Sequence, residues 1–112
     1  MKEIQVFNHK MFGAIRTTTD EQGQPLFVGK DVAEALGYKN TPKAIQQHVD
    51  EEDKGTLPIR ESAYEPRAIV INESGLYSLI LSSKLPQAKV FKRWVTSEVL
   101  PQIRKTGGYI PT

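Results

Sequence analysis

Hydrophobic and polar positions alternate at period two around Ile4 and Val6, and a run rich in β-branched residues follows from Phe12 to Thr19. Alternation at that period sends successive side chains to opposite faces of a strand, so both stretches predict strands. Asp20-Glu21-Gln22-Gly23 supplies a turn before a third short strand, Pro25 to Val28, and the three form an antiparallel meander. The period then changes. Gly29-Lys30-Asp31 opens a helix in which Val32, Ala33 and Leu36 share a face, and Gly37 sits where a left-handed cap ends it after about two turns. A second helix is expected from Thr41 as N-cap, with Pro42 at the first helical position, to about Val49. Ile45 and Val49 then point inward, leaving Lys43, Gln46, Gln47 and Asp50 outside.

The acidic run Asp50 to Asp53 predicts a solvated loop. Thr56 to Arg60 and Arg67 to Ile71 read as the arms of a second hairpin, joined by a connection containing Ser62 and Pro66. Asn72 is placed to cap a third helix with Leu76, Leu79 and Ile80 on its buried face, and Ser82-Ser83 interrupts that pattern. A fourth helix begins near Pro86. Ala88, Phe91, Trp94, Val95, Val99 and Ile103 fall on one stripe of it, with Lys89, Arg93 and Arg104 opposite. Pro101 lacks an N–H and crowds the preceding turn, so it should kink this helix or end it early, and Gly107-Gly108 releases the chain. The expected fold class is α+β: a small antiparallel sheet built from hairpins, packed with about four helices.

The chain has 112 residues, 38% of them hydrophobic, which suits a single core. Residues 1–109 read as one domain and 110–112 as the start of a linker or tail, so an excerpt of a longer protein is expected. The sequence contains no cysteine, which excludes disulfides, thiolate catalysis and Cys-type zinc sites, and a cytoplasmic home is expected. There is no apolar leader and no run long enough to cross a bilayer, so no membrane role is expected.

Candidate chemistry is sparse. His9 and His48 lie in different elements without HExxH spacing, so surface or boundary positions are expected for both. Asp31 and Glu34 share a helix at i, i+3, where acids near the helix start commonly serve the macrodipole. The acidic run lacks the ligand spacing and glycine of an EF-hand, and the glycines form neither dinucleotide nor phosphate-loop motifs. No catalytic residue, metal site or cofactor is therefore expected, and an enzyme is the least favoured class.

Charge changes the picture. The net charge is only +2, yet Lys84, Lys89, Lys92, Arg93, Arg104 and Lys105 face a single acid, Glu98, after residue 83, against nine Lys or Arg and twelve Asp or Glu before it. Such asymmetry points to a polyanion partner, although a solvated helix face produces the same count. The first two helices, with a glycine at their turn, have the ingredients of a helix-turn-helix. Lys39, Asn40, Lys43, Gln46 and Gln47 are suited to phosphates and purine edges, while a polar outer face of this kind also occurs in domains that bind no nucleic acid. Lys89 and Arg93 lie one turn apart, facing away from Phe91 and Trp94, where they could grip consecutive phosphates.

Three motifs together suggest a family. Asp31-Val32-Ala33 with Leu36-Gly37-Tyr38, Asn72-Glu73-Ser74-Gly75-Leu76-Tyr77, and Phe91 to Thr96 with Val99 to Arg104 closely resemble the BRO N-terminal domain of phage antirepressor-like and baculovirus repeated-ORF proteins. The resemblance extends to about Tyr109. It implies a small α+β DNA-binding module, followed in longer relatives by a separate C-terminal domain, but it carries over no list of contact residues. On that basis the expected partner is double-stranded DNA, in a prophage-derived antirepressor-like or transcription-regulating protein, and the charge and helix-face reading above supplies the expected contacts: Lys39, Asn40, Lys43, Gln46, Gln47, Lys84, Lys89, Lys92, Arg93 and Arg104. The alternative is a protein-interaction module that holds a repressor, with the acidic run Asp50 to Asp53 meeting a basic surface. Dimerisation is compatible with a DNA reader but no heptad seam encodes it, and the sequence leaves DNA against RNA open.

Overall fold

The computed structural model describes residues 4–58 and 67–106. The period-two stretches form β1 (Gln5–His9), β2 (Gly13–Thr19) and β3 (Pro25–Val28), paired antiparallel with Phe7 opposite Ile15 and Thr17 opposite Phe27. Asp20 closes the β2–β3 turn by accepting from the backbone N–H groups of Gln22 and Gln24 at 2.9 and 2.8 Å. The second hairpin, β4 (Lys54–Pro58) and β5 (Arg67–Ile71), joins the meander instead of standing apart. β5 lies against β3 with Phe27 opposite Ile71, and the sheet runs β1-β2-β3-β5-β4. Both of those side chains are fully buried, so this pairing removes the most apolar sheet positions from water together. Arg60 and the connection with Ser62 and Pro66 lie outside the described residues, as do Gly107, Gly108 and Tyr109 to Thr112.

The helices are α1 (Gly29–Ala35), α2 (Thr41–His48), α3 (Glu73–Ser82), and α4 (Ala88–Trp94) running through π-helical Val95–Val99 into α5 (Leu100–Thr106). With α4 to α5 as one continuous run there are four helical bodies among the described residues, and the α+β arrangement is the expected one. Val32, Phe27, Ile71, Leu76, Leu79, Phe91, Val99 and Ile103 are completely buried in the main core.

Four local details differ from the sequence reading. Asn40, not Thr41, is the N-cap of α2: its Oδ1 accepts from the Lys43 N–H at 3.1 Å, which moves Pro42 one position into the helix. The acidic run is no open loop. Glu51–Asp53 form a 3-10 turn, in which Asp53 accepts from both the N–H and the side-chain amide of Asn72, and Glu51 pairs with Lys54 at 3.2 Å. Pro101 does not stop the last helix, because the turn before it widens and Leu100 N–H donates five residues back to Val95 O. Asp31 does more than face the macrodipole. Its carboxylate is 9% exposed and takes three donors from Arg16: the backbone N–H at 2.9 Å, Nε at 2.8 Å and Nη2 at 2.9 Å.

At α3, Asn72 caps as expected, accepting from Gly75 N–H at 2.9 Å. A methyl group on Gly75 would lie 3.0 Å from Val49 Cγ1, 3.1 Å from Ile71 Cβ and 3.3 Å from Asp53 O. Gly75→Ala should therefore destabilise by roughly 1–3 kcal/mol through overpacking, although helix propensity alone favours alanine; urea unfolding reads the sign. Ion-pair burial gives a second contrast in the same assay. Asp31→Ala should cost roughly 3 kcal/mol, because it takes a doubly bonded carboxylate away from a largely buried guanidinium and from the Arg16 backbone N–H. Arg104→Ala, which breaks an exposed pair with Glu73, should cost less than about 1 kcal/mol.

Candidate nucleic-acid interface

The helix pair α1–α2 is built by a left-handed glycine. Gly37 has φ +83°, its N–H donates to Glu34 O, and the Tyr38 N–H reaches Ala33 O at 3.0 Å. These two bonds close a Schellman motif and turn the chain sharply toward α2. Ala44 and Ile45 then anchor α2, and Lys43, Gln46 and Gln47 are left exposed beside Lys39 and Asn40 in the turn. The Asn40 carbonyl oxygen is occupied as the cap, so only its amide hydrogens remain for another partner. Tyr38 folds back under the turn and donates its hydroxyl to Leu79 O at 2.8 Å. Burial raises its pKa above the ordinary phenol value, which favours this donor form.

On α4, Phe91 and Trp94 enter the core, where each forms an edge-on aromatic contact with the other or with Phe12. Geometry then leaves Lys89, Lys92 and Arg93 exposed on the outer face, with Lys84 exposed in the α3–α4 connection. Among the described residues, Lys39, Lys43, Lys84, Lys89, Lys92 and Arg93 form no ion pair. The four segments that carry them, Gly37 to Asn40, α2, Ser83 to Gln87 and α4, contain no Asp or Glu. The nearest exposed acids in sequence, Glu34 on α1, Asp50 after α2 and Glu98 on the π-helical turn, lie just beyond the ends of these segments, so within the segments themselves the charge is all positive.

Of the expected contacts, the structure brings the Lys39 and Lys84 segments side by side. Ser83 Oγ donates to Leu36 O at 2.9 Å, and Leu85 packs against Gly37. Lys89, Lys92 and Arg93 form a stripe on the helix that follows. Arg104 is set apart: its Nη2 holds Glu73 Oε1 at 2.9 Å at the start of α3, and it lies about 22 Å along the helical run from Lys89. Tyr38, Ser83 and Leu85 are the residues that sequence reasoning did not single out as joining these segments. Only the position of Tyr38 directly after the capping glycine, where Schellman motifs commonly place an apolar contact, hinted at such a role.

His9 does not resemble a catalytic base. Its Nδ1 accepts from the Met11 N–H, and its ring lies 4.7 and 4.8 Å from those of Phe12 and Trp94. His48 sits against Tyr38 at 5.7 Å. Among the described residues no cluster of three potential metal ligands occurs, and no helix is long and apolar enough to cross a membrane.

Comparison with known proteins agrees with the motifs. The model of the BRO family, N-terminal domain, matches residues 14–101. A putative Bro-N domain-containing protein, 289L of Invertebrate iridescent virus 6, is 44% identical over 105 residues, covering 76% of this chain and 25% of its own length. A protein of Haemophilus influenzae is 39% identical over 107 residues, covering 96% of this chain and 53% of its own. The Bro-N domain-containing protein ORF2 of Autographa californica nuclear polyhedrosis virus is 34% identical, with 87% and 34% covered. The chain thus spans between a quarter and about half of these relatives. No solved structure matches it. With the family model spanning β2 to the last helix and every quoted motif inside the described fold or at its edge, the chain belongs to the BRO family through its N-terminal domain.

Proposed function

We propose that this domain binds double-stranded DNA without catalysis, as the contact module of an antirepressor-like or transcription-regulating protein. The observation that carries this reading is the set of six exposed cations, Lys39, Lys43, Lys84, Lys89, Lys92 and Arg93, on segments without an acid. Lysine and arginine in such a setting exchange condensed counterions for phosphates, which provides affinity without reading sequence. Lys89 and Arg93 are separated by about 6 Å along the helix axis, so they can take consecutive phosphates of one strand. Gln46 and Gln47 supply the reading. A terminal amide offers a donor and an acceptor together, which matches the N6 and N7 edge of adenine. A B-form major groove admits a helix such as α2, whereas the deep, narrow groove of A-form RNA does not.

Capture of a repressor through the acidic run has less support. Asp53 is engaged by Asn72 and the exposed Glu51 is paired with Lys54, which leaves Asp50 and Glu52 as the acids of that run without an ion pair among the described residues.

Duplex affinity should fall steeply with salt, and Lys89→Ala with Arg93→Ala should reduce the slope of log K against log salt by roughly two units. Arg104→Ala should leave that slope unchanged. Gln46→Ala and Gln47→Ala should do the converse, keeping the slope while lowering the preference for adenine-containing sites by roughly 1–3 kcal/mol. Fluorescence anisotropy with duplex DNA and an RNA competitor measures all three. Salt-independent affinity, or no duplex binding at low ionic strength, would overturn the reading.

A further inference from the structure

Three contacts join parts of the chain that are far apart in sequence, and they lie beside the basic segments. Ser83 Oγ donates to Leu36 O at 2.9 Å across 47 residues, and Tyr38 OH donates to Leu79 O at 2.8 Å across 41. A Cβ on Gly37 would come within 3.4 Å of both Leu85 methyl groups, so the turn already sits against that side chain. Ser83 works in both directions, since its Oγ also accepts from the Leu85 N–H at 3.2 Å. The serine that ends α3 thereby fixes the start of the α3–α4 connection and ties it to the end of α1. Lys39 follows Tyr38 by one residue, and Lys84 lies between Ser83 and Leu85.

We propose that the α1–α2 turn and the α3–α4 connection act as one phosphate-binding ledge, on which a single DNA duplex is held by Lys39 and Lys84 together. Ser83 and Tyr38 are its positioning residues. This rests on the DNA-binding reading above and adds the arrangement that makes two loops one surface. Each segment alone is a short connection, and a lysine on a free loop loses much of its electrostatic gain in ordering the backbone beneath it. Tying both loops to the ends of α1 and α3 removes that cost before DNA arrives. Once the first lysine has engaged, the second contact becomes intramolecular, with an effective concentration set by a fixed geometry. Both tethers use neutral hydroxyl donors to main-chain carbonyls, so they introduce no carboxylate that would compete with phosphate for the lysines.

The test uses the whole chain, a duplex of about two helical turns and a salt titration. Lys39→Ala and Lys84→Ala should each lower the salt slope by about 0.9. The combined variant Tyr38→Phe with Ser83→Ala retains every cation, yet should bind on the order of tenfold more weakly. Its salt slope should also be shallower, while circular dichroism shows the native fold. A purely structural role for the two hydroxyls would lower the melting temperature and leave the slope unchanged. Unaltered affinity and slope in the folded combined variant would overturn the ledge. So would a Lys84→Ala slope equal to that of the unsubstituted chain, a measurement at an exposed side chain that does not depend on the combined variant folding. Absence of duplex binding by the unsubstituted chain would instead remove the DNA reading itself.

Discussion

A carboxylate with 9% exposure sits at the start of α1, and the arrangement of the first half of the fold depends on how it is satisfied. Removing an ionised carboxyl from water costs several kcal/mol unless charge and hydrogen bonds replace the lost hydration. Asp31 receives both from one residue, since Arg16 supplies its side-chain fork and its own backbone N–H. No buried side-chain polar atom among the described residues lacks a partner. The consequence reaches beyond the pair. Arg16 lies on β2 opposite Val6 on β1, so the bond fixes the rotation of α1 against the meander and hence the direction in which the Schellman turn launches α2. The polar face of α2 is thus set by a contact made two elements earlier.

The last helix meets a different constraint. Pro101 has no N–H to give, and its ring would strike the carbonyl four residues back in a regular α-helix. Widening Val95–Val99 to a π turn moves that carbonyl away and lets helical bonding resume through Thr106. Ser97 and Thr96 donate their hydroxyls to the carbonyls of Arg93 and Lys92 at 2.6 and 2.9 Å, back-bonding from the widened turn to the end of α4. Because the helix is not broken, Val95, Val99, Leu100 and Ile103 remain buried on the same side as Phe91. The basic stripe of α4 therefore rests on a core that continues beneath its whole length.

Features decided within a few residues were legible in the sequence. Gly37 ends α1, Asn72 caps α3, and the apolar stripe of the last helix is buried as its spacing demands. Where two neighbouring residues could do the same local job, the choice was not legible. Asn40 and Thr41 are both competent caps, and the amide won. Long-range choices were hidden for a different reason. Placing β5 beside β3 depends on Phe27 meeting Ile71 across 44 residues, and nothing in either strand names the other. The same holds for Asp31, whose partner lies 15 residues upstream, and for the Ser83 tether. At the candidate site, the types of side chain were readable, whereas which cations stay free was not. Arg104 belongs to the same basic stretch as Arg93, yet only the folded chain brings Glu73 to it.

That division of labour among charges explains how a nearly neutral domain can present a cluster of exposed, unpaired cations. Every described acid that is not fully at the surface is bound to a structural partner. Asp20 closes a turn, Asp31 holds Arg16, Asp53 holds Asn72 and Glu73 holds Arg104. The exposed acids lie on the β2–β3 turn, α1, the 3-10 turn with Asp50 just before it, and the π turn, and none is on the segments that carry the six cations of the candidate face. Net charge averages over these two populations and so conceals the asymmetry. Surface potential at an exposed face depends on charges within about a Debye length, roughly 8–10 Å at physiological salt, and there the six cations of the α2 and α4 faces and their adjoining turns are opposed only from the segment ends, by residues such as Asp50 and Glu98. A charge of +2 for the whole chain is then compatible with strong local attraction for phosphate. Several of the described acids are engaged in the architecture, and six of the unpaired cations are gathered on four segments.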